Sequence, residues 1–433
     1  MANRIMAMAT FDQVNQEIQP DNEDHVFWWN TLGQPFTTLL SANNYDIKHQ
    51  LQYLRWFYQA IMPSLGPRPV NSKPHYAPSF TYDGSPLEFS LNWKEKKIDP
   101  TIRFTTEPCS AKAGTNADPL NQLTAMDVLK GMSNYIPSLD LTRSNVLLSA
   151  TNVPVEATDE ILSKLPPGYP RARVLVAYDL EDGNIVAKTY FNPGHRAFLQ
   201  GTSTKNVVFD AIRKCNGPAG SYDASIEAID GYLRTFNTDE TPQVTLLSND
   251  CVKDTPSSRL KVYVMARVHT LAMAKDMFHL GGRLTGQAIA EGLNSIEEFW
   301  CHVFDIDSLT TDIHDEQVLP KGSSCIFVYE MRPTPIDAQK SEIEVKWHMP
   351  ASWLGTSDAQ ICEVMAAWFR KHSHPELAQR YLSDLTRAFP RHDLSTPGCL
   401  THTWISLTWT KKTGIYMTMY YTPRLPEFYY PSI

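Results

Sequence analysis

The chain has 433 residues, 42% hydrophobic and 20% charged, ordinary proportions for a globular protein with a sizeable core. A formal net charge of −8 gives no overall pull toward nucleic acid or anionic membrane, so any anion site must be local. The seven cysteines (Cys109, Cys215, Cys251, Cys301, Cys325, Cys362, Cys399) are scattered and never spaced CxxC, which argues against disulfides or zinc and for reduced thiols in the cytoplasm.

The opening segment MANRIMAMATFDQVNQ lacks the apolar run of a signal peptide, and no later run reaches membrane-spanning length. An amphipathic helix is predicted where Leu51, Leu54, Phe57 and Ile61 advance by three, three and four residues. Residues 63–78 are rich in proline and read as a loop. Two strand-like runs follow, Leu87–Trp93 and Thr101–Glu107. A second pair, Arg173–Leu180 and Asn184–Phe191, is joined by the turn-forming Glu181-Asp182-Gly183. Helical spacing returns at Ile226, Ile229 and Leu233. A third pair, Val244–Asp250 and Arg259–Val264, comes next. Gly281-Gly282 then closes a helix running through Ala272–Leu280, and Ile289, Leu293, Ile296 and Trp300 mark another. The last pairs are Ser323–Arg332 with Glu342–Met349 and Thr401–Thr410 with Ile415–Thr422.

Pair starts at 87, 173, 244, 323 and 401 recur at near-regular intervals, as one unit of helix, strand, strand and helix repeated along the chain would give. A single helical layer covers only one face of such a sheet, and closure removes its edges. The expected fold is α+β, a ten-stranded antiparallel β-barrel surrounded by helices. Residues 1–433 are expected to form one domain.

The second strand of each pair carries the chemistry. Arg103 lies in TIRFTTE, Lys188 and Tyr190 in AKTYF, and Arg259, Lys261 and Tyr263 in RLKVY. Lys346 and His348 lie in VKWHMP, and Tyr416 and Tyr420 in YMTMYY. Strand side chains alternate between faces, so each set points one way. Any one set also fits a solvated strand face or a barrel filler. Their recurrence, with apolar or small Leu260, Val262, Val264, Ile185, Ala187 and Thr189 on the opposite face, assigns them to the lumen. Converging cations are costly unless an anion fills the ring, and a diphosphate suits Arg and Lys. Tyrosine faces beside them stabilise a carbocation and exclude water. Anion and cation side by side is the charge pattern of an ionising allylic diphosphate.

At these residues the sequence resembles the dimethylallyltryptophan synthase family of fungal aromatic prenyltransferases. The resemblance runs from LGPRP (Leu65–Pro69) through PLEFS (Pro86–Ser90), RFTTEP, KTYF and RLKVY to the closing YxxxY. It implies the αββα prenyltransferase barrel and metal-independent dimethylallyl transfer from dimethylallyl diphosphate to an aromatic acceptor in secondary metabolism. It implies that Arg103, Lys188, Arg259, Lys261 and Lys346 hold the diphosphate and that Tyr190, Tyr263, Tyr416 and Tyr420 shield the cation. Glu88 in PLEFS matches the acidic residue that receives the acceptor's N–H or O–H.

His348 stands where the family usually has tyrosine; neutral it would join the shield, and protonated it would contact phosphate. RVLVAYDL lacks the lysine of members that prenylate tryptophan at C4, which weighs against that reaction. There is no DDxxD and no adjacent Asp pair for magnesium. The cluster Asp305, Asp307, Asp312 and Asp315 reads as a polar loop or helix end. An indole acceptor (a tryptophan derivative, cyclic dipeptide or alkaloid) leads, a phenolic or polyketide acceptor is the alternative, and a non-catalytic anion-binding barrel is a third reading. No nucleic-acid or membrane partner is expected, and the chain is expected to be a monomer or homodimer.

Overall fold

The computed structural model describes residues 2–424 apart from 20–21, 72, 77, 79, 82, 167–168, 170–172, 237–240, 308–313, 336–341 and 399–400. Asp312, Cys399 and residues 72 and 77 of the proline-rich stretch therefore lie outside the described residues.

The ten strands are β1 (Leu87–Lys94), β2 (Thr101–Thr106), β3 (Val174–Glu181), β4 (Asn184–Phe191), β5 (Gln243–Asp250), β6 (Leu260–Arg267), β7 (Ser324–Met331), β8 (Ile343–Pro350), β9 (His402–Thr410) and β10 (Gly414–Tyr421). Each pairs antiparallel with its neighbours in sequence, and β1 pairs with β10 to close the barrel. All ten expected strands form, with ends moved by up to three residues. Arg259 sits just before β6.

Local chemistry explains the hairpins. Between β3 and β4 both Asp182 (φ 52°) and Gly183 (φ 78°) are left-handed, as a two-residue turn matched to strand twist requires. A Cβ on Gly183 would also lie 2.8 Å from the His49 ring, so glycine is needed there twice over.

Outward residues meet the helical layer. Leu260, Val262, Val264 and Thr189 are fully buried, as their alternation predicts. Phe57 packs on Phe104 with ring centroids 5.2 Å apart, Trp56 on Tyr178 at 5.1 Å, and Trp300 stacks on Trp347 at 6.0 Å. The predicted helices appear as Ile47–Trp56, Asp223–Leu233, Leu271–Phe278 and Gln287–Phe304. The first passes into a π turn over Phe57–Ile61, which keeps Leu54, Phe57 and Ile61 on the barrel side. Leu280, Gly281 and Gly282 all take positive φ after the third helix, and left-handed Asp305 ends the fourth. Among the described residues no helix is long and apolar enough to cross a membrane.

Candidate active site

Alternation along the strands aims Arg103, Lys188, Lys261 and Lys346 into the lumen, and each meets a carboxylate from a neighbouring strand. Across the ladder Arg103 faces Asp179, Lys188 faces Asp250 and Lys261 faces Glu330. Arg103 Nε lies 3.1 Å from Asp179, which Lys188 also contacts. Lys261 Nζ is 2.9 Å from Asp250, and Arg259 bridges Asp250 (2.7 Å) and Glu330 (2.9 Å). Lys346 Nζ is 3.7 Å from Glu330.

The unpaired ring of cations expected from sequence is thus corrected: the protein supplies counter-charges itself. Five cations against three carboxylates still leave two positive charges in this set. Burial alone would raise the carboxyl pKa values. The cations outweigh it, holding Asp179 and Glu330 down to about 2 and Asp250 lower still. Burial disfavours charge on the cations too. It carries Lys188 down, whereas Asp250 and Glu330 overcome it and carry Lys261 up. Sequence reasoning missed the three acids because it read only second strands; the same alternation on first strands marks them.

Beside this charged layer is a cavity of about 360 Å³, whose lining includes Glu88, Tyr190, Tyr263, His348 and Tyr420. Ring centroids are 5.9 Å apart for Tyr190 and Tyr263, 6.3 Å for Tyr263 and His348, and 5.9 Å for His348 and Tyr420. His348 Nε2 is 3.3 Å from the Tyr420 hydroxyl. Burial, then Lys346, pushes the His348 pKa down to about 3, so it is neutral and stands in the aromatic row instead of acting as a cation.

Tyr416 departs from its expected place. Its ring lies among the charges, 4.3 Å from Lys346 Nζ and 5.8 Å from Arg103 Cζ, and is not part of the cavity lining. Burial would raise its phenol pKa, but Arg103 and Lys346 draw it down to about 7. The reason is register: Tyr416 faces Lys94 near the far end of β1, whereas Tyr420 faces Ser90.

Glu88 is buried on β1, and its Oε1 accepts a 2.6 Å hydrogen bond from the Thr403 hydroxyl. Burial raises its pKa to about 7, against the pull of Thr403 and with help from Asp83. Asp358, which accepts from the Thr401 and His402 backbone N–H groups at 2.6 and 2.8 Å, fixes the start of the strand that carries Thr403. Spacing gave no sign of either residue. Thr403→Val removes the one hydroxyl donor that the described residues offer this carboxylate. A hydrogen bond to a charged group is worth about 1.5–3 kcal/mol, so the pH midpoint of kcat/KM is expected to rise by about 1–2 units. Thr403→Ser should restore it. A pH–rate profile of the three proteins checks this, and a Val profile that coincides with wild type would refute it.

The family model for tryptophan dimethylallyltransferase matches residues 24–384. The chain belongs to this family. It is 50% identical over 421 residues to the prenyltransferase iacE of Pestalotiopsis fici, covering 96% of this chain and 95% of that protein. It is 30% identical to the 7-dimethylallyltryptophan synthase hasE of Aspergillus fumigatus, covering 92% and 85%. Among solved structures it matches NotF in complex with brevianamide F and DMSPP, with TM-score 0.78, 25% identity and coverage of 94% and 96%. AnaPT from Neosartorya fischeri shares the fold at TM-score 0.81 and 24% identity, covering 96% and 98%. Like its relatives, this tryptophan dimethylallyltransferase family member is a prenyl-transferring enzyme built on the αββα barrel.

Proposed function

We propose that this enzyme transfers a dimethylallyl group from dimethylallyl diphosphate to an aromatic acceptor, most simply an indole, by metal-independent Friedel–Crafts alkylation. The observation that carries the reading is the juxtaposition of a net-positive layer with an aromatic cavity that holds a buried carboxyl. Arg103, Lys188, Arg259, Lys261 and Lys346 would hold the diphosphate and stabilise it as the allylic C–O bond breaks. Tyr190, Tyr263, Tyr420 and neutral His348 would flank the cation and keep water away. Tyr416, seated among the cations, would face the leaving group first.

An acceptor ring carbon then attacks as Glu88 takes the N–H or O–H proton. The ring C–H proton leaves with the released diphosphate, and Glu88 returns the heteroatom's proton to give the neutral aromatic product. The hasE and NotF names, with tryptophan and brevianamide F in them, favour the indole. Glu88 accepts a phenol O–H as readily, which keeps a phenolic acceptor as the second reading. Metal independence is supported by the chemistry of the charged layer, whose acids are each engaged by Lys or Arg. The β1–β10 pairing, which joins distant parts of the chain, supports residues 1–433 acting as one unit. The six described cysteines form no disulfide, consistent with a reducing cytoplasm.

Incubation with dimethylallyl diphosphate and a panel of indoles and hydroxynaphthalenes, with and without EDTA, tests the reading. Prenylated product undiminished by EDTA is expected. Loss of product that magnesium restores would overturn metal independence, and a blank panel would overturn the transferase reading.

A further inference from the structure

One cation near the lumen has no counter-charge among the described residues. Arg173, immediately before β3, is 2% exposed, shares the inward alternation of Leu175 and Asp179, and lines the same cavity as Glu88. Its Nη2 donates to the Thr151 carbonyl at 3.0 Å, near the end of the helix Thr142–Thr151. Nε and Nη1 are buried and have no hydrogen-bond partner among the described residues. Burial lowers its pKa to about 10, with Tyr76 and Tyr169 opposing, so it stays cationic near neutrality.

The contrast with Arg103, Arg259 and Arg143 is informative. Arg103 has Asp179, Arg259 has Asp250 and Glu330, and Arg143 has Asp254. Arg173 has only a neutral carbonyl, which satisfies one N–H and leaves the charge uncompensated. A buried guanidinium in that state is costly, and truncating it to an apolar side chain would remove the cost. The structural task of holding Thr151 does not call for the N–H groups on Nε and Nη1.

We propose that Arg173 receives a carboxylate of the acceptor, so that the natural acceptor is an aromatic acid and not a neutral ring. The inference rests on the reading of this cavity as the acceptor site. A carboxylate supplies both the missing charge and acceptors for the free N–H groups. A neutral amide or ketone supplies only the latter. The anchored end would fix which part of the ring is offered to the cation, so Arg173 acts as a specificity-determining residue.

Matched probes test this: indole-3-acetate against indole-3-acetamide, and 4-hydroxybenzoate against 4-hydroxybenzamide, each with dimethylallyl diphosphate. Loss of a charge-assisted hydrogen bond corresponds to at least about tenfold. The wild type is therefore expected to favour acid over amide by that factor in kcat/KM, chiefly through KM. Arg173→Leu should bring the ratio within about threefold of unity, and Arg173→Lys should retain part of it. Because both compounds of a pair meet the same preparation, the ratio is insensitive to the folded fraction. Turnover of amides as well as acids would overturn the inference while leaving the transferase reading intact. If none of the four is turned over, calorimetric binding to the wild type decides: acid preference upholds the carboxylate site, and its absence sinks it.

Discussion

Glu88→Gln is expected to cut turnover by about 10²–10⁴-fold, the usual contribution of a positioned proton acceptor. Gln keeps the size and a carbonyl oxygen for Thr403 to reach, but it cannot take a proton. Glu88 lines the cavity proposed for the acceptor and stands apart from the charged layer, so binding of the diphosphate donor should change little. The pH dependence has a definite sign. In the proposed role Glu88 works ionised, and burial sets its pKa near 7, so wild-type kcat/KM should rise with pH through about 7. The stability linkage runs the other way. A carboxyl whose folded pKa is raised binds more protons folded than unfolded, so stability falls as pH climbs from about 4 toward 7. Gln removes that burden, and the variant should melt no lower than wild type at pH 8. Near-normal turnover by a well-folded Gln variant would remove Glu88 from the chemistry.

The regularity that made this site legible is the two-residue period of a strand. It places Arg103, Lys188, Lys261, Lys346, Tyr190, Tyr263 and Tyr420 on the inner wall, and the apolar faces of β4 and β6 on the outer one. Closure of the barrel followed from the lack of a second helical layer. What the period does not carry is height along the barrel, which depends on the register of pairs distant in sequence. Tyr416 and Tyr420 share a face four residues apart, yet one sits among the charges and the other beside the cavity. Thr403 and Asp358 were invisible for a similar reason. Each is an ordinary residue whose meaning comes from a contact across hundreds or tens of positions. The protonation of His348 also depends on burial, which no motif reports.

Asp250→Asn should strip the apo protein of about 3–5 kcal/mol, the scale on which breaking one side of a buried ion pair acts. Asp250 accepts from Lys261 and from two nitrogens of Arg259, and it faces Lys188 across the ladder. Asn fills the same space but leaves three cations crowded against one another. Inorganic pyrophosphate then has more to do than in the wild type, where it must compete with the carboxylate for the same N–H groups. A ligand at 100 times its Kd adds about 2.7 kcal/mol to stability, and the increment grows as Kd falls. At one fixed pyrophosphate concentration the melting temperature of Asp250→Asn should therefore rise further than that of wild type. Acid gives an independent check. With Asp179 and Glu330 held near 2 and Asp250 lower, their stabilisation is complete above about pH 5 and drains as pH falls toward 2. The Asn variant should lose less across that window because one of the three acids is gone. Equal melting temperatures with equal pyrophosphate shifts would mean that the acids are incidental neighbours of the cations. An unstable variant rescued by pyrophosphate would mean that Asp250 holds the cations in place until the donor's own negative charge arrives.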